Sequence, residues 1–237
     1  MPHPPGGGDP ARAKLPTMTP REFADDLSAT LEMLLALRES GLNGVGETVG
    51  RSDMPALLRM ALRSHFEAAE IASLWVVSTP DVEVKLGLAR LAGAEAQHYE
   101  LILGRFVELG GAAEAFSGSW PEGRSKLLRY LETIETTVER VAALPFAREA
   151  IAVRSNLQFI SSCEAVGDVA TAALYRMHIQ PDEEGHLEWG RKMLERLTVS
   201  ERSHAAVRRV VLTTLELATD LRGLASGRLP AEPLPGA

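Results

Sequence analysis

Two helical stretches of this chain interrupt an apolar face with the same pair of polar residues. The face Val84, Leu88, Leu91, Glu95, His98, Ile102 keeps the three- and four-residue spacing of an amphipathic helix, yet its middle holds a carboxylate and an imidazole. Ala172, Ile179, Glu183, His186, Met193 and Leu197 repeat the arrangement. Residues three apart share one face of a helix, so each Glu-x-x-His unit presents both groups from a single turn. Folding such a face inward takes an ionised carboxylate out of water, which is costly unless a cation or a hydrogen-bonded partner answers it. Any fold this sequence adopts must bring compensating groups to the same depth.

Further carboxylates precede each unit. The stripe Met60, Glu67, Ile71, Leu74 directs Glu67 inward, and Phe146, Glu149, Val153, Ile160 does so for Glu149. In two antiparallel helices, residues equally far from the turn stand at equal height, with a rise of about 1.5 Å per residue. With a turn at Thr79-Pro80, Glu67 lies about 12 residues before it and Glu95 about 15 after, an offset of about 4 to 5 Å. With a second turn at Gly167-Asp168, Glu149 lies about 18 residues before and Glu183 about 15 after, so that pair also meets. The spacing thus predicts a dinuclear metal centre ligated by Glu67, Glu95, His98, Glu149, Glu183 and His186. Glu70, one turn beyond Glu67, competes for the first-helix position but widens the offset. Glu164 is only about 3 residues from the second turn and would miss the centre by roughly 18 Å. His65 and His178 are candidates for supporting roles, His65 as a core or ligand-supporting group and His178 as an additional ligand. Tyr99 and Tyr175 read as packing residues, His204 and His3 as solvent-facing or tail residues. Glu-x-x-His alone carries little weight, because one such spacing is expected by chance in a glutamate-rich chain with 6 histidines.

The remaining pattern is helical almost throughout. Thr19-Pro20 opens a helix reaching about Ser40, followed by helices from about Ser52 to Val77 and on to Leu109. A helix from Ser125 to Leu144 comes next, and Pro145 starts another that ends at Gly167-Asp168. A long helix then runs to about Leu197, and a last one from Ser200 to about Ala225. Pro181 falls inside the long helix beside the ligands, where it removes a backbone bond and predicts a kink or bulge. The competing reading, a new helix starting at Pro181, would separate Glu149 from Glu183. Residues 1–18 and 227–237 are Pro/Gly-rich and predicted to be disordered, leaving one helical domain over 19–226 with its bundle at about 52–198.

Composition narrows the function classes. At 237 residues with 45% apolar content, the chain suffices for one large core, and 5% aromatic residues fit an Ala/Leu/Glu-rich helical protein. The single cysteine, Cys163, excludes an internal disulfide and a Cys-based metal cluster, and suits a reducing cytoplasm. No apolar run reaches transmembrane length, and a net charge of −7 without a basic block argues against a nucleic-acid surface.

Glu67, Glu95-x-x-His98, Glu149 and Glu183-x-x-His186 together resemble the ligand set of the ferritin-like di-iron carboxylate superfamily, in which one Glu from each of two helices joins Glu-x-x-His from each of the other two. Asp182-Glu-Glu-Gly-His186 is similar to the Asp-Glu-x-x-His segment of di-iron oxygenases, including phenylacetyl-CoA epoxidase-like and tRNA-isopentenyladenosine hydroxylase-like proteins. The resemblance implies an all-α, four-helix bundle with a long crossover and extra terminal helices. It further implies two iron ions, or manganese, with Glu95 and Glu183 bridging, Glu67 and Glu149 terminal, and His98 and His186 binding one ion each. Asp182 would support a ligand histidine, whereas Ala94 occupies the matching position of the first unit and leaves that role to another group such as His65 or Glu70. The implied activity is oxidation of a small organic substrate by O2. An external electron donor, a reductase or ferredoxin, is expected, because no flavin, nicotinamide or iron–sulfur motif is recognisable, and a homodimer is compatible. Ferroxidase or iron-storage and di-manganese catalase activities use similar ligands, and a metal-free helical interaction module is the contrasting class.

Overall fold

A computed structural model of the chain describes residues 18–42, 50–112 and 123–218. Among these every regular element is helical. The predicted disordered tail, His3, most of the predicted N-terminal segment and the end of the last predicted helix lie outside the described residues. Counting each helix with an internal π-helical segment as one, seven helices follow in order. Helix α1 spans Pro20–Leu42, α2 Met54–Ser78 and α3 Val82–Glu108. The short α4 is Lys126–Leu131. Helix α5 comprises Thr137–Val141, a π-helical segment Ala142–Arg148 and Glu149–Ala165. Helix α6 comprises Val169–Leu174, a π-helical segment Tyr175–Ile179 and Gln180–Leu197. Helix α7 is Glu201–Leu217.

Side chains and prolines account for the boundaries. Asp81 caps α3 by accepting the Val84 N–H at 3.0 Å, and Asp168 caps α6 by accepting the Thr171 N–H at 3.1 Å. The continuous helix predicted from Ser125 to Leu144 is corrected. Helix α4 ends at Leu131, Arg140 Nε donates to the Ile134 carbonyl at 3.2 Å across the intervening turn, and Thr136 caps α5. Its β-branched residues, Thr133, Ile134 and Thr136, are poor helix formers. Pro145 does not begin a helix either, since it lies inside the first π-helical segment. A widened turn there accommodates both the pyrrolidine ring and the missing N–H, which a regular helix interior resists. Pro181 stands beyond the second π-helical segment, separated from it by Gln180, and α6 continues past it, so the predicted bulge occurs and the predicted break does not.

The two irregular helices pack closely. A Cβ on Gly190 of α6 would collide with the carbonyl of Pro145 in α5, so only glycine permits this approach. Gly87 of α3 similarly leaves room for the ring of Trp189 on α6. Helices α2 and α3 form a hairpin. Helix α1 lies against α5, α6 and α7, and α7 packs on the first π-helical segment. Phe23, Leu31, Trp75, Leu88, Phe146 and Phe159 are fully buried in the apolar core. No helix among the described residues is long and apolar enough to cross a membrane.

Candidate metal centre

At the core, α2, α3, α5 and α6 each contribute polar side chains. His65, Glu95, His98 and Glu183 form one group and Glu149, Glu183 and His186 a second, with the ligand atoms of each group within 4.8 Å of one another. Glu183 belongs to both. Glu95, Glu149 and Glu183 have no exposed surface and His98 has 1%.

Hydrogen bonds hold the first group in place. His65 Nδ1 lies 2.6 Å from Glu95 Oε2, and Arg148 Nη1 donates to Glu95 Oε1 at 2.8 Å. The same nitrogen donates to Glu149 Oε1 at 2.9 Å, while Nη2 donates to the Ser64 carbonyl and hydroxyl at 3.0 and 3.1 Å. Arg148 thus ties α5 to α2 and fixes one oxygen of two carboxylates from different helices. Burial would raise the Glu95 carboxyl, but the Arg148 guanidinium and the His65 imidazole outweigh it and bring it down to about 2. Arg148, also buried, is held protonated by the same carboxylates.

Asp182, on the second Glu-x-x-His turn, supports the histidine of the first. Its Oδ2 is 3.1 Å from His98 Nε2. With the proton on Nε2, the lone pair of His98 Nδ1 faces the cluster, 3.8 Å from Glu183 Oε1. Burial and the neighbouring His65 lower the His98 pKa, which keeps that lone pair free. Asp182 on the opposite helix thus supplies His98 with the acidic partner that Ala94 does not provide within its own unit. His186 Nδ1 stands 3.9 Å from Glu149 Oε2. Burial lowers its pKa, but the facing carboxylates, Glu149 foremost, raise it overall.

The polar inventory does not close. His98 Nδ1, Glu149 Oε2, both oxygens of Glu183 and His186 Nδ1 are buried without a hydrogen-bond partner among the described residues. Orphaned buried polar atoms are rare, and a carboxylate with both oxygens unpaired is rarer still. All five atoms are electron-pair donors to a cation, and they come from the two groups that share Glu183.

Of the residues selected from the sequence, Glu95, His98, Glu149, Glu183 and His186 are brought together, and Glu67 is not. Its Oε1 accepts from Arg63 Nε at 3.2 Å and from the Ser125 N–H at 2.9 Å. The buried stripe of α2 runs Leu58, Leu62, His65, Ala68, Ala72, Trp75, whereas Leu74, which seemed to align Glu67 with the core, is 52% exposed. His65 therefore occupies the first-helix position. Glu70 pairs with Arg124 at 3.0 Å, Glu164 pairs with Arg176 at 2.7 Å, and His178 is exposed. Tyr175 packs edge-on against Phe159. His204 is half-buried, stacked on Phe23 at 3.9 Å, with Nε2 3.1 Å from the Thr198 carbonyl. It closes a third Glu-x-x-His spacing, Glu201-Arg-Ser-His204, on the first turn of α7, where no inward carboxylates accompany it. Arg148 escaped sequence reading although it was visible as a lone cation within the wholly buried run from Val141 to Ile151.

Comparison with family models, curated proteins and solved structures finds no match to this chain.

Proposed function

We propose that these residues hold a dinuclear carboxylate–histidine metal centre in a ferritin-like bundle, and that the protein is a di-iron oxidase or oxygenase of a small organic substrate. One observation carries the reading: the buried Glu183 carboxylate, both oxygens unpaired, stands between two sets of inward-facing donors. In this reading His65, Glu95 and His98 would hold one ion, Glu149 and His186 would hold the other, and Glu183 would serve both. Oxygen and imidazole donors with little sulfur character suit iron or manganese. Two ferrous ions bound there would supply electrons to O2, and an external donor would restore them.

The chain's own residues set the terms of that chemistry. Arg148 orients Glu95 and Glu149 without entering the donor set. Asp182 fixes the tautomer of His98, and the apolar core around α3 and α5 excludes water. Three buried carboxylates opposed by Arg148 leave two negative charges, which one divalent ion neutralises. A second ion then requires an added anion such as hydroxide or a substrate carboxylate, so binding in two steps of unequal affinity is expected. The test is metal analysis of protein purified without chelators, followed by anaerobic Fe(II) titration and measurement of O2 consumption. Two iron ions per chain, taken up in two steps, with O2 consumed thereafter, are expected; two tightly held manganese ions would redirect the activity towards peroxide. No metal uptake, or full uptake by a Glu183→Ala variant, overturns the reading.

A further inference from the structure

The outward face of α3 carries a pattern that the metal centre does not use. From Val82 to Val107, alternating steps of four and three residues read Val, Leu, Ala, Gly, Ala, Glu, Leu, Val. This is the 3.5-residue repeat of a helix that pairs with another helix. Here the stripe faces away from the molecule. Val82 is 68% exposed, Leu86 50% and Val107 45%, and a Cβ added to Gly93 would meet nothing within 4 Å among the described residues. Val82, Leu86 and Val107 are exposed at heptad spacing, Leu103 is half-buried with its inner side against the core, and Glu100 is the one charged residue among them, so the row is ordered rather than scattered as exposed apolar side chains on a surface normally are.

The order of the residues points to the occupant. Val82 and Val107 are equidistant from the midpoint between Ala94 and Glu95. So are Leu86 and Leu103, Ala89 and Glu100, and Gly93 and Ala96. A two-fold axis through that midpoint sets valine against valine and leucine against leucine, with glycine and alanine meeting at the crossing, where small residues let backbones approach. A two-fold interface must be self-complementary in this way, whereas a different partner has no need of a palindrome. The one charged residue in the stripe obeys the same symmetry. Glu100 falls opposite Ala89 of the second copy, beside Arg90, so the axis generates two Arg90–Glu100 pairs of opposite charge.

We propose that two copies of this chain associate through α3, packed antiparallel about a two-fold axis between Ala94 and Glu95. The stripe is buried at the centre, and Phe66 of α2, its ring 5.9 Å from that of Tyr99, flanks it. The inference stands on the outer face of α3 alone and does not depend on what the inner face binds.

The test uses the full chain in sedimentation velocity over a concentration series, with two kinds of variant. Gly93→Arg places a charge at the crossing, where no described residue lies within 4 Å, so it should keep its helical content and match the parent's thermal midpoint at concentrations where the parent is monomeric, while the dimer dissociation constant rises on the order of 100-fold. Crosslinking supplies the geometry. A mixture of Leu86→Cys and Leu103→Cys chains should form the heterodimeric disulfide on mild oxidation. Leu86→Cys alone should not, because its two copies would stand roughly 25 Å apart along the axis. The native Cys163 is buried and does not interfere. A monomer throughout the series, a dimer that survives Gly93→Arg, or equal crosslinking by Leu86→Cys alone would each overturn the proposal.

Discussion

The two halves of the centre are built from different kinds of helix and finished to different degrees. The half on the α2–α3 hairpin rests on regular helices and is held by hydrogen bonds: His65 on Glu95, Arg148 on Glu95, Asp182 on His98. The half on α5 and α6 follows two π-helical segments and carries most of the unpaired atoms, among them Glu149 Oε2 and His186 Nδ1. His186 is also more open, with a side chain 17% exposed against 1% for His98. A π-helical turn shifts the register of everything beyond it, so the inserted segments re-aim Glu149 and Glu183 at some cost in regularity. One half is thus prearranged by protein contacts, while the other keeps donor atoms without a partner among the described residues. Under the proposed function this predicts that the α2–α3 half binds the first ion.

Removing the shared residue should have the largest effect. Glu183→Ala is expected to reduce metal binding at both halves, whereas His186→Ala should spare the first ion and Glu95→Ala the second. Metal content and titration of the three variants measure this, and equal losses in all three would show that the halves are not separate. Without metal the sign reverses: Glu183→Leu should raise the chemical denaturation midpoint, because it deletes a buried carboxyl group with both oxygens unpaired and fills its space with apolar atoms.

Arg148 tests what prearranges the first half. Arg148→Met leaves Glu95 and Glu149 buried without their cation and should cost about 3 to 5 kcal/mol of unfolding free energy in the absence of metal. Added divalent metal should restore part of this loss by supplying the missing positive charge. Denaturation with and without metal decides the point, and a loss that metal does not touch would make Arg148 a packing residue. Asp182→Asn is subtler. It should weaken the first ion by about 10- to 100-fold while leaving the second unchanged, as expected for a group that orients a ligand histidine.

The far end of the α5–α6 pair is held differently. Asp168 at the turn accepts from the Thr171 hydroxyl at 2.6 Å and from Arg105 Nη2 at the same distance. Burial would raise its carboxyl, but Thr171 and Arg105 outweigh that and lower it below 3.8. A carboxyl depressed on folding contributes stability above its unfolded value and loses it as pH falls through its folded value. Acid unfolding of Asp168→Asn should therefore show a weaker pH dependence below about pH 4 than the parent. An unchanged slope would remove Asp168 from the account.

These differences trace what the sequence made legible. The inward faces of α3 and α6 followed directly from apolar spacing, because a regular helix repeats its facing every three or four residues. Glu149 was also identified, although the π-helical segment before it was not, since nothing in periodicity distinguishes a widened turn around Pro145 from a helix start. The proline at 181 was more informative, being flanked on both sides by strong helix. Support of His98 by Asp182 was half legible: the acid was recognised, but its target lies on another helix, and no local pattern encodes a contact across 84 positions.

His65 and Glu67 provide the smallest and most exacting comparison. Two residues apart on α2, they point to nearly opposite sides of the helix, so only one can face the centre. Height also favours His65, which lies within about one residue of level with Glu95 across the turn, closer than Glu67. The stripe Met60, Glu67, Ile71, Leu74 favours Glu67 in the sequence, and its offset from Glu95 is smaller than that of Glu70, but Leu74 is exposed and marks the wrong face. With His65 facing the centre, Glu67→Ala should leave metal stoichiometry intact. It should cost only about 1 kcal/mol, from the lost hydrogen bond to the Ser125 N–H at the start of α4. His65→Ala should weaken the first ion and release Glu95 from its 2.6 Å contact. The reverse pattern, with metal lost in Glu67→Ala and kept in His65→Ala, would mean that α2 turns to present its carboxylate once metal is bound.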